Sequence, residues 1–274
     1  MQFLKATSDD GTHLRLARWG SGEKDALIVH GLAEHAGRYT HVAEALVDAG
    51  WRVTLVELRG HGESRGKPGH CKFWHRYVED VQAAAVVVGR PYVLVAHSMG
   101  GLVTLDALRE PITPRCVAVA ASNPFLALAE PLPAWKDMAA RIASRLVPSL
   151  SIPTELDTAN LTHDVDVVRA YEADPLVYGT VTARWGVEME KAQQRVMADA
   201  PKGRIPLRMM IGTGDRICDP QAARRLARDW GGEVDEVIYD GLYHELFNEN
   251  ERAAVIRDMI TWMDATWATH GAHA

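Results

Sequence analysis

Cysteine is scarce in this chain of 274 residues: Cys71, Cys116 and Cys218 are odd in number and far apart. That excludes a fully paired disulfide framework and a CxxC pair, and makes a reducing interior the simpler setting. No run of 18 apolar residues occurs, and the opening MQFLKATSDDG lacks a basic start leading into an apolar stretch. Neither a transmembrane helix nor a signal peptide is expected; the expected location is cytoplasmic, with contact at a membrane surface still open. A basic excess is missing too, since the formal net charge is -6 with acids and bases interspersed. Without a cationic footprint to neutralise phosphates, nucleic acid is not an expected partner. Internal repeats and low-complexity tracts are also absent.

What is present is a strand and helix rhythm. FLKAT and HLRLARW, separated by SDDG, read as a hairpin, and ALIVH, WRVTLVE, YVLVA and RCVAVAAS read as further strands. Apolar periodic stretches at about residues 39 to 49, 73 to 88 and 99 to 109 fall between the later ones. This alternation predicts an α/β fold with a mostly parallel central sheet flanked by helices. From Asn123 to about Ala200 the rhythm breaks into prolines and helical patterns with no convincing strand, after which LRMMIG and EVDEVIY resume the sheet. We therefore expect a core of residues 1–122 and 201–274, interrupted by a helical cap insertion at 123–200.

The stretch YVLVAHSMGG places Ser98 between strand formers and a pair of glycines. A strand that turns straight into a helix holds its apex residue in a strained conformation and needs small neighbours two before and two after, which Ala96 and Gly100 supply. Glycine is the usual first member, so Ala96 departs from the pattern by one methyl. An ordinary N-cap serine is the plainer alternative for Ser98 alone. Asp215, in the turn GTGDRICDP after LRMMIG, and His244, in DGLYHELFNE after the last strand, change the balance. Ligands in such sheets gather beyond the carboxyl ends of the strands, where all three residues fall. A serine hydroxyl needs an imidazole to take its proton, and the imidazole needs an acid to fix its tautomer. The chain order Ser, Asp, His is that of the α/β-hydrolases. Asp219 competes for the acid role, but Asp219-Pro220 reads as the start of the next helix.

The oxyanion of a tetrahedral intermediate needs N–H donors. Met99, just after the nucleophile at a helix N-terminus, offers one backbone amide, and Leu32 in HGLAEH offers the other. Gly31 lets that backbone approach closely, and His30 is expected to brace the loop. Although the chain has 12 histidines, His244-Glu245 lacks the second histidine of H-E-x-x-H, because position 248 is Asn. His30 and Glu34-His35 are one residue too far apart for H-x-x-E-H, so no metal and no cofactor are expected.

The segments HGLAEHAGRY (30–39), RGHGESRGKPG (59–69), HSMGG (97–101), YEADPL (171–176), GTGDRICDP (212–220) and YDGLYHELFNE (239–249) together resemble the monoacylglycerol lipases of the α/β-hydrolase fold, from about residue 25 to 265. RGHGxS alone is common among hydrolases; the combination is more specific. The resemblance implies hydrolysis of a monoacylglycerol to glycerol and a fatty acid, with Ser98, Asp215 and His244 as the triad and the amides of Leu32 and Met99 as the oxyanion hole. It also implies that Tyr171, in the cap, bounds the glycerol pocket. Cys218 matches a cysteine near the site in the mammalian enzyme, and we read it as a small buried hydrophobe. SNPFL (122–126) departs from the family by an extra polar residue, Asn123.

PLPAWKDMAARIASRLVPSL (131–150) places Trp135, Met138, Ala139, Ile142 and Leu146 on one helical face, with Lys136, Arg141 and Arg145 elsewhere. Such a helix suits transient contact with a lipid surface and a place for Ile142 at the mouth of an acyl tunnel, or else ordinary packing. The expected partner is a small lipid substrate. A lysophospholipase or broad carboxylesterase is the alternative within the enzyme class, and a non-catalytic hydrolase-fold binding module is the alternative outside it.

Overall fold

The computed structural model describes residues 1–109 and 115–271. The chain begins with β1 (Gln2–Thr7), β2 (His13–Trp19) and β3 (Lys24–Val29), followed by α1 (Thr40–Asp48), β4 (Trp51–Val56) and α2 (His75–Val88). Then come β5 (Tyr92–His97), α3 (Ser98–Ala107) and β6 (Cys116–Ser122). Between β6 and the next strand of the large sheet lie α4 (Ala134–Leu146), β7 (Ser151–Pro153), α5 (Val165–Ala173), β8 (Thr180–Thr182) and α6 (Ala183–Asp199). The chain finishes with β9 (Leu207–Gly212), α7 (Pro220–Asp229), β10 (Val234–Tyr239) and α8 (Arg252–His270).

Eight strands form one sheet in the order β1-β2-β4-β3-β5-β6-β9-β10. The first hairpin and the β2–β4 pair are antiparallel; every pair from β4 to β10 is parallel. Parallel strands covered on both faces should be apolar throughout, and β5 and β6 are buried at every position. The pleat sends Ala26 and Ile28 of β3 to one face, beside Val42 and Leu46 of α1 and Met259 of α8. It sends Leu27 and Val29 to the other, beside Val81 of α2, Leu102 of α3 and Leu226 of α7. Each such aliphatic side chain contributes about 1.5–3 kcal/mol by leaving water.

Between β6 and β9 the chain leaves the large sheet, and this segment, expected to lack strands, is not free of them. β7 and β8 pair antiparallel in a separate two-stranded ribbon. SIP and TVT are three residues each, too short to show a period of two against their surroundings. The helix expected within 131–150 runs from Ala134 to Leu146, and Val147 before Pro148 disfavours its continuation. No helix among the described residues is long and apolar enough to cross a membrane.

Candidate active site

Ser98 sits at the junction of β5 and α3 with φ +51, a left-handed conformation that a non-glycine residue adopts only under constraint. The constraint is close packing on β3. A Cβ on Gly100 would run into the carbonyl oxygens of Val29 and His30, so the turn requires glycine there, whereas Ala96 is accommodated at 1% exposure. The Ser98 carbonyl also accepts from the amide of Phe125 at 2.9 Å, which ties the turn to the segment after β6.

Asp215 and His244 lie in the turns after β9 and β10, neighbouring parallel strands whose carboxyl ends point the same way. His244 Nδ1 stands 2.8 Å from Asp215 Oδ2, and its Nε2 stands 3.0 Å from Ser98 Oγ. A carboxylate can only accept, so Nδ1 carries the hydrogen and Nε2 is left to accept a hydrogen bond from the Ser98 hydroxyl. The other oxygen of Asp215 accepts from the amides of Ile217 at 2.8 Å and Cys218 at 2.9 Å, fixing the carboxylate in its turn. Asp219, the rival acid, is occupied elsewhere: it caps α7, accepting from the amide of Gln221 at 2.9 Å. Burial disfavours the imidazolium form of His244, but the charge and hydrogen bond of Asp215 outweigh it and raise its proton affinity well above that of a free histidine.

The HGLAEH loop packs on this turn. A Cβ at Gly31 would stand 3.2 Å from that of Ser98, and Ala33 takes φ +57 to turn the loop back. Leu32 lies between them, and Met99 occupies the first turn of α3, where N–H groups lack intrahelical acceptors. His30 accepts from the Leu58 amide at 3.0 Å and donates through Nδ1 to the Gly31 carbonyl at 2.7 Å. Burial lowers its proton affinity, so it stays a neutral brace.

Tyr171 of α5 is buried, with the Arg38 guanidinium 4.6 Å from its ring centroid. Ile142 is 50% exposed on α4, which packs on α6. Cys218 is buried, and desolvation pushes its thiol up, away from thiolate chemistry. Asp215, Cys218 and His244 have donor atoms within 4.8 Å of one another, the one such metal-competent group among the described residues. Both histidine nitrogens there are already engaged, by Asp215 and Ser98, which leaves the group poorly suited to hold an ion.

Two features escaped the sequence reading. Asn123, noted only as a departure, uses both ends of its amide to hold the turns that carry the acid and the histidine. Glu34, Arg38 and Glu245 form a buried charged cluster beside His97. The signals were the i, i+4 spacing of Glu34 and Arg38 within HGLAEHAGRY and an acid directly after His244.

Residues 23–251 match the family model described as serine aminopeptidase, S33. The monoacylglycerol lipase of Mycolicibacterium smegmatis is 32% identical over 251 residues, covering 86% of each chain. Phospholipase YtpA of Bacillus subtilis is 29% identical over 240 residues, 84% of this chain and 91% of that one. Among solved structures, the monoacylglycerol lipase of Paleococcus ferrophilus superposes with a TM-score of 0.86 at 28% identity, covering 97% of this chain and 100% of that one. The chain belongs to the serine aminopeptidase S33 family and, within the α/β-hydrolase fold, to its monoacylglycerol lipases, and is a carboxylic ester hydrolase.

Proposed function

We propose that the chain is a serine hydrolase that cleaves monoacylglycerols to glycerol and free fatty acid. The observation that carries this reading is the single imidazole spanning Ser98 and Asp215 at 3.0 and 2.8 Å. Ser98 Oγ attacks the ester carbonyl carbon as its proton passes to His244 Nε2. The oxyanion that forms is held by the amides of Leu32 and Met99. The intermediate collapses, the ester C–O bond breaks, and His244 returns the proton to the departing glycerol oxygen. Water then attacks the acyl enzyme with His244 again as base, which releases the fatty acid and restores Ser98.

Residues 123–200 act in this reading as a cap over the core. Ser98 is only 7% exposed, and the segment is tied to the core: Tyr178 donates to His61 Nε2 at 2.6 Å, and His35 pairs with Asp174 at 2.7 Å. Tyr171 closes the glycerol side, and the α4 end, with Ile142, forms the acyl side and touches the lipid surface. Each buried methylene of the acyl chain contributes about 0.8 kcal/mol to binding.

A fluorophosphonate should label the folded wild type and fail on Ser98→Ala; an unlabelled wild type contradicts the serine mechanism. A lysophospholipase is the second reading, supported by the likeness to phospholipase YtpA. Comparing kcat/KM on monoacylglycerol and lysophosphatidylcholine of equal chain length separates the two, and a preference for the phosphorylated head group would overturn the first.

A further inference from the structure

Two carboxylates and one guanidinium are buried behind the nucleophile. Arg38 gives both forks to Glu245, Nη1 to Oε1 and Nη2 to Oε2 at 2.7 Å each. Its approach to Glu34 is looser, 3.3 Å to Oε2, and that oxygen has no hydrogen-bond partner. The side chains of Glu34, Arg38 and Glu245 are 4%, 8% and 3% exposed, so with both acids ionised the trio would hold an uncompensated negative charge away from water. A proton on one acid removes it. Glu245 holds the bidentate pair, so the proton falls on Glu34.

That proton has an acceptor in view. Glu34 Oε1 lies 3.7 Å from Nε2 of His97, a buried nitrogen that also lacks a partner. His97 Nδ1 stands 3.2 Å from the Ser122 carbonyl, which only accepts, so Nδ1 carries the hydrogen and Nε2 is a bare lone pair. A carboxyl hydrogen and an unused acceptor thus face each other one short adjustment from a hydrogen bond. The His97 ring packs on that of His244, 4.7 Å between centroids. Glu34 itself lies against Gly31, the residue before Leu32: a Cβ there would collide with Oε1.

We propose that Glu34 is a positioning residue that works protonated, sharing its hydrogen with His97 behind the oxyanion loop, and that its ionisation turns the enzyme down. The inference rests on the serine mechanism above, because a negative charge under the loop opposes the oxyanion that the Leu32 amide would stabilise. The titratable groups facing Glu34 are Arg38 and Tyr39 after β3, His97 ending β5, His244 and Glu245 after β10, and Tyr171 across from Arg38 on α5. Burial, the largest influence, and Glu245 oppose ionisation, while Arg38, a hydrogen bond from Tyr39 and His244 favour it; the balance raises the Glu34 carboxyl to about 7. Burial, with His244 adding to it, lowers His97 to about 3, so His97 stays neutral and able to accept. Ionisation of Glu34 therefore falls within the working pH range.

The test is the pH dependence of kcat on a soluble p-nitrophenyl ester for wild type, Glu34→Gln and Glu34→Ala. Wild type should give a bell-shaped profile, with its acid side set by loss of the His244 proton and its alkaline fall set by ionisation of Glu34. Glutamine donates where the acid does but cannot ionise; Glu34→Gln should stay within about threefold of wild type near pH 6 and lack the alkaline fall. Glu34→Ala, with no donor, should be at least about tenfold slower throughout. An alkaline limb unchanged in Glu34→Gln overturns the proposal. If that variant does not fold, infrared difference spectra of wild type decide. A carboxylic-acid carbonyl band should be present near pH 6, vanish by about pH 9 and shift in His97→Phe; no such band overturns the proposal. Fluorophosphonate labelling of wild type separates the outcomes: an unlabelled enzyme fails the serine mechanism, whereas a labelled one with the wrong pH profile fails only the role of Glu34.

Discussion

The side-chain amide of Asn123 donates to the carbonyl of His244 at 2.8 Å and to that of Tyr243 at 3.1 Å, while its oxygen accepts from the amide of Gly212 at 2.9 Å. One side chain at the end of β6 thus clamps the end of β9, which leads to Asp215, to the turn that bears His244. Asn123 takes φ +40, a conformation that asparagine tolerates better than most residues.

Asn123→Ala leaves three backbone groups without their partner. We expect a loss of about 1–3 kcal/mol in stability, and a fall in kcat of roughly 10–100-fold as the histidine loses its fixed position. Asn123→Asp should be worse, because a carboxylate repels both carbonyls. Denaturant unfolding and steady-state kinetics on the same preparations check both effects; an unchanged kcat in a destabilised variant would confine the clamp to stability.

The pairing with Asp215 raises the proton affinity of His244, so in the proposed serine mechanism the imidazole must lose its proton to act as base, and the rate should fall as pH falls through that value. Asp215→Asn removes the charge responsible. The acid limb of the kcat/KM profile should move to lower pH, while the plateau drops by about 10⁴ because the imidazole takes the wrong tautomer. An acid limb that stays in place would show that another group sets it.

Arg59, in the RGHG segment, is held by Asp80 through two side-chain hydrogen bonds, at 2.7 and 2.9 Å, and reaches Asp10 at 2.7 Å. The Asp80 side chain is 0% exposed. Arg59→Met leaves that carboxylate buried without its counter-ion, with the residue 59 amide still donating to it at 3.0 Å, which we expect to cost about 3–5 kcal/mol and lower Tm by roughly 10 °C. Adding Asp80→Leu should restore much of the loss. Thermal unfolding of the two variants is the check, and equal Tm values for both would deny that the stranded charge is the cause.

The chain order of Ser98, Asp215 and His244 and their places after strands were legible because strand periodicity, glycine spacing and chain order are local properties. The helix start at Asp219 was legible for the same reason: a proline after an acid marks a helix start, and Asp219 caps α7. The β7–β8 ribbon was not, since three residues carry no period. Nor was the Glu34, Arg38 and Glu245 cluster, because residues about 210 positions apart meet only once the sheet is assembled. Asn123 was visible as an oddity, but its partners lie on strands far along the chain, so its purpose was not.

One side of α4 turns large apolar side chains to solvent. Trp135, Met138 and Leu146 are 68%, 59% and 76% exposed. On the polar side, Arg141 pairs with Asp137 at 3.0 Å and with Glu190 of α6 at 2.5 Å, which holds the helix with its apolar residues outward. An apolar patch of this kind is stable in water only at a cost that a lipid surface relieves. Vesicles should therefore change the tryptophan fluorescence of wild type and leave Trp135→Phe largely unresponsive, a control needed because the chain has eight tryptophans. Ile142→Asp and Leu146→Asp should each weaken vesicle binding by roughly tenfold or more, the equivalent of losing one buried aliphatic side chain. Because Leu146 lies at the far end of the helix, Leu146→Asp should still hydrolyse a soluble short-chain ester at the wild-type rate. The same loss on soluble and vesicle-borne substrates would mean that the helix serves the folded protein rather than the lipid surface.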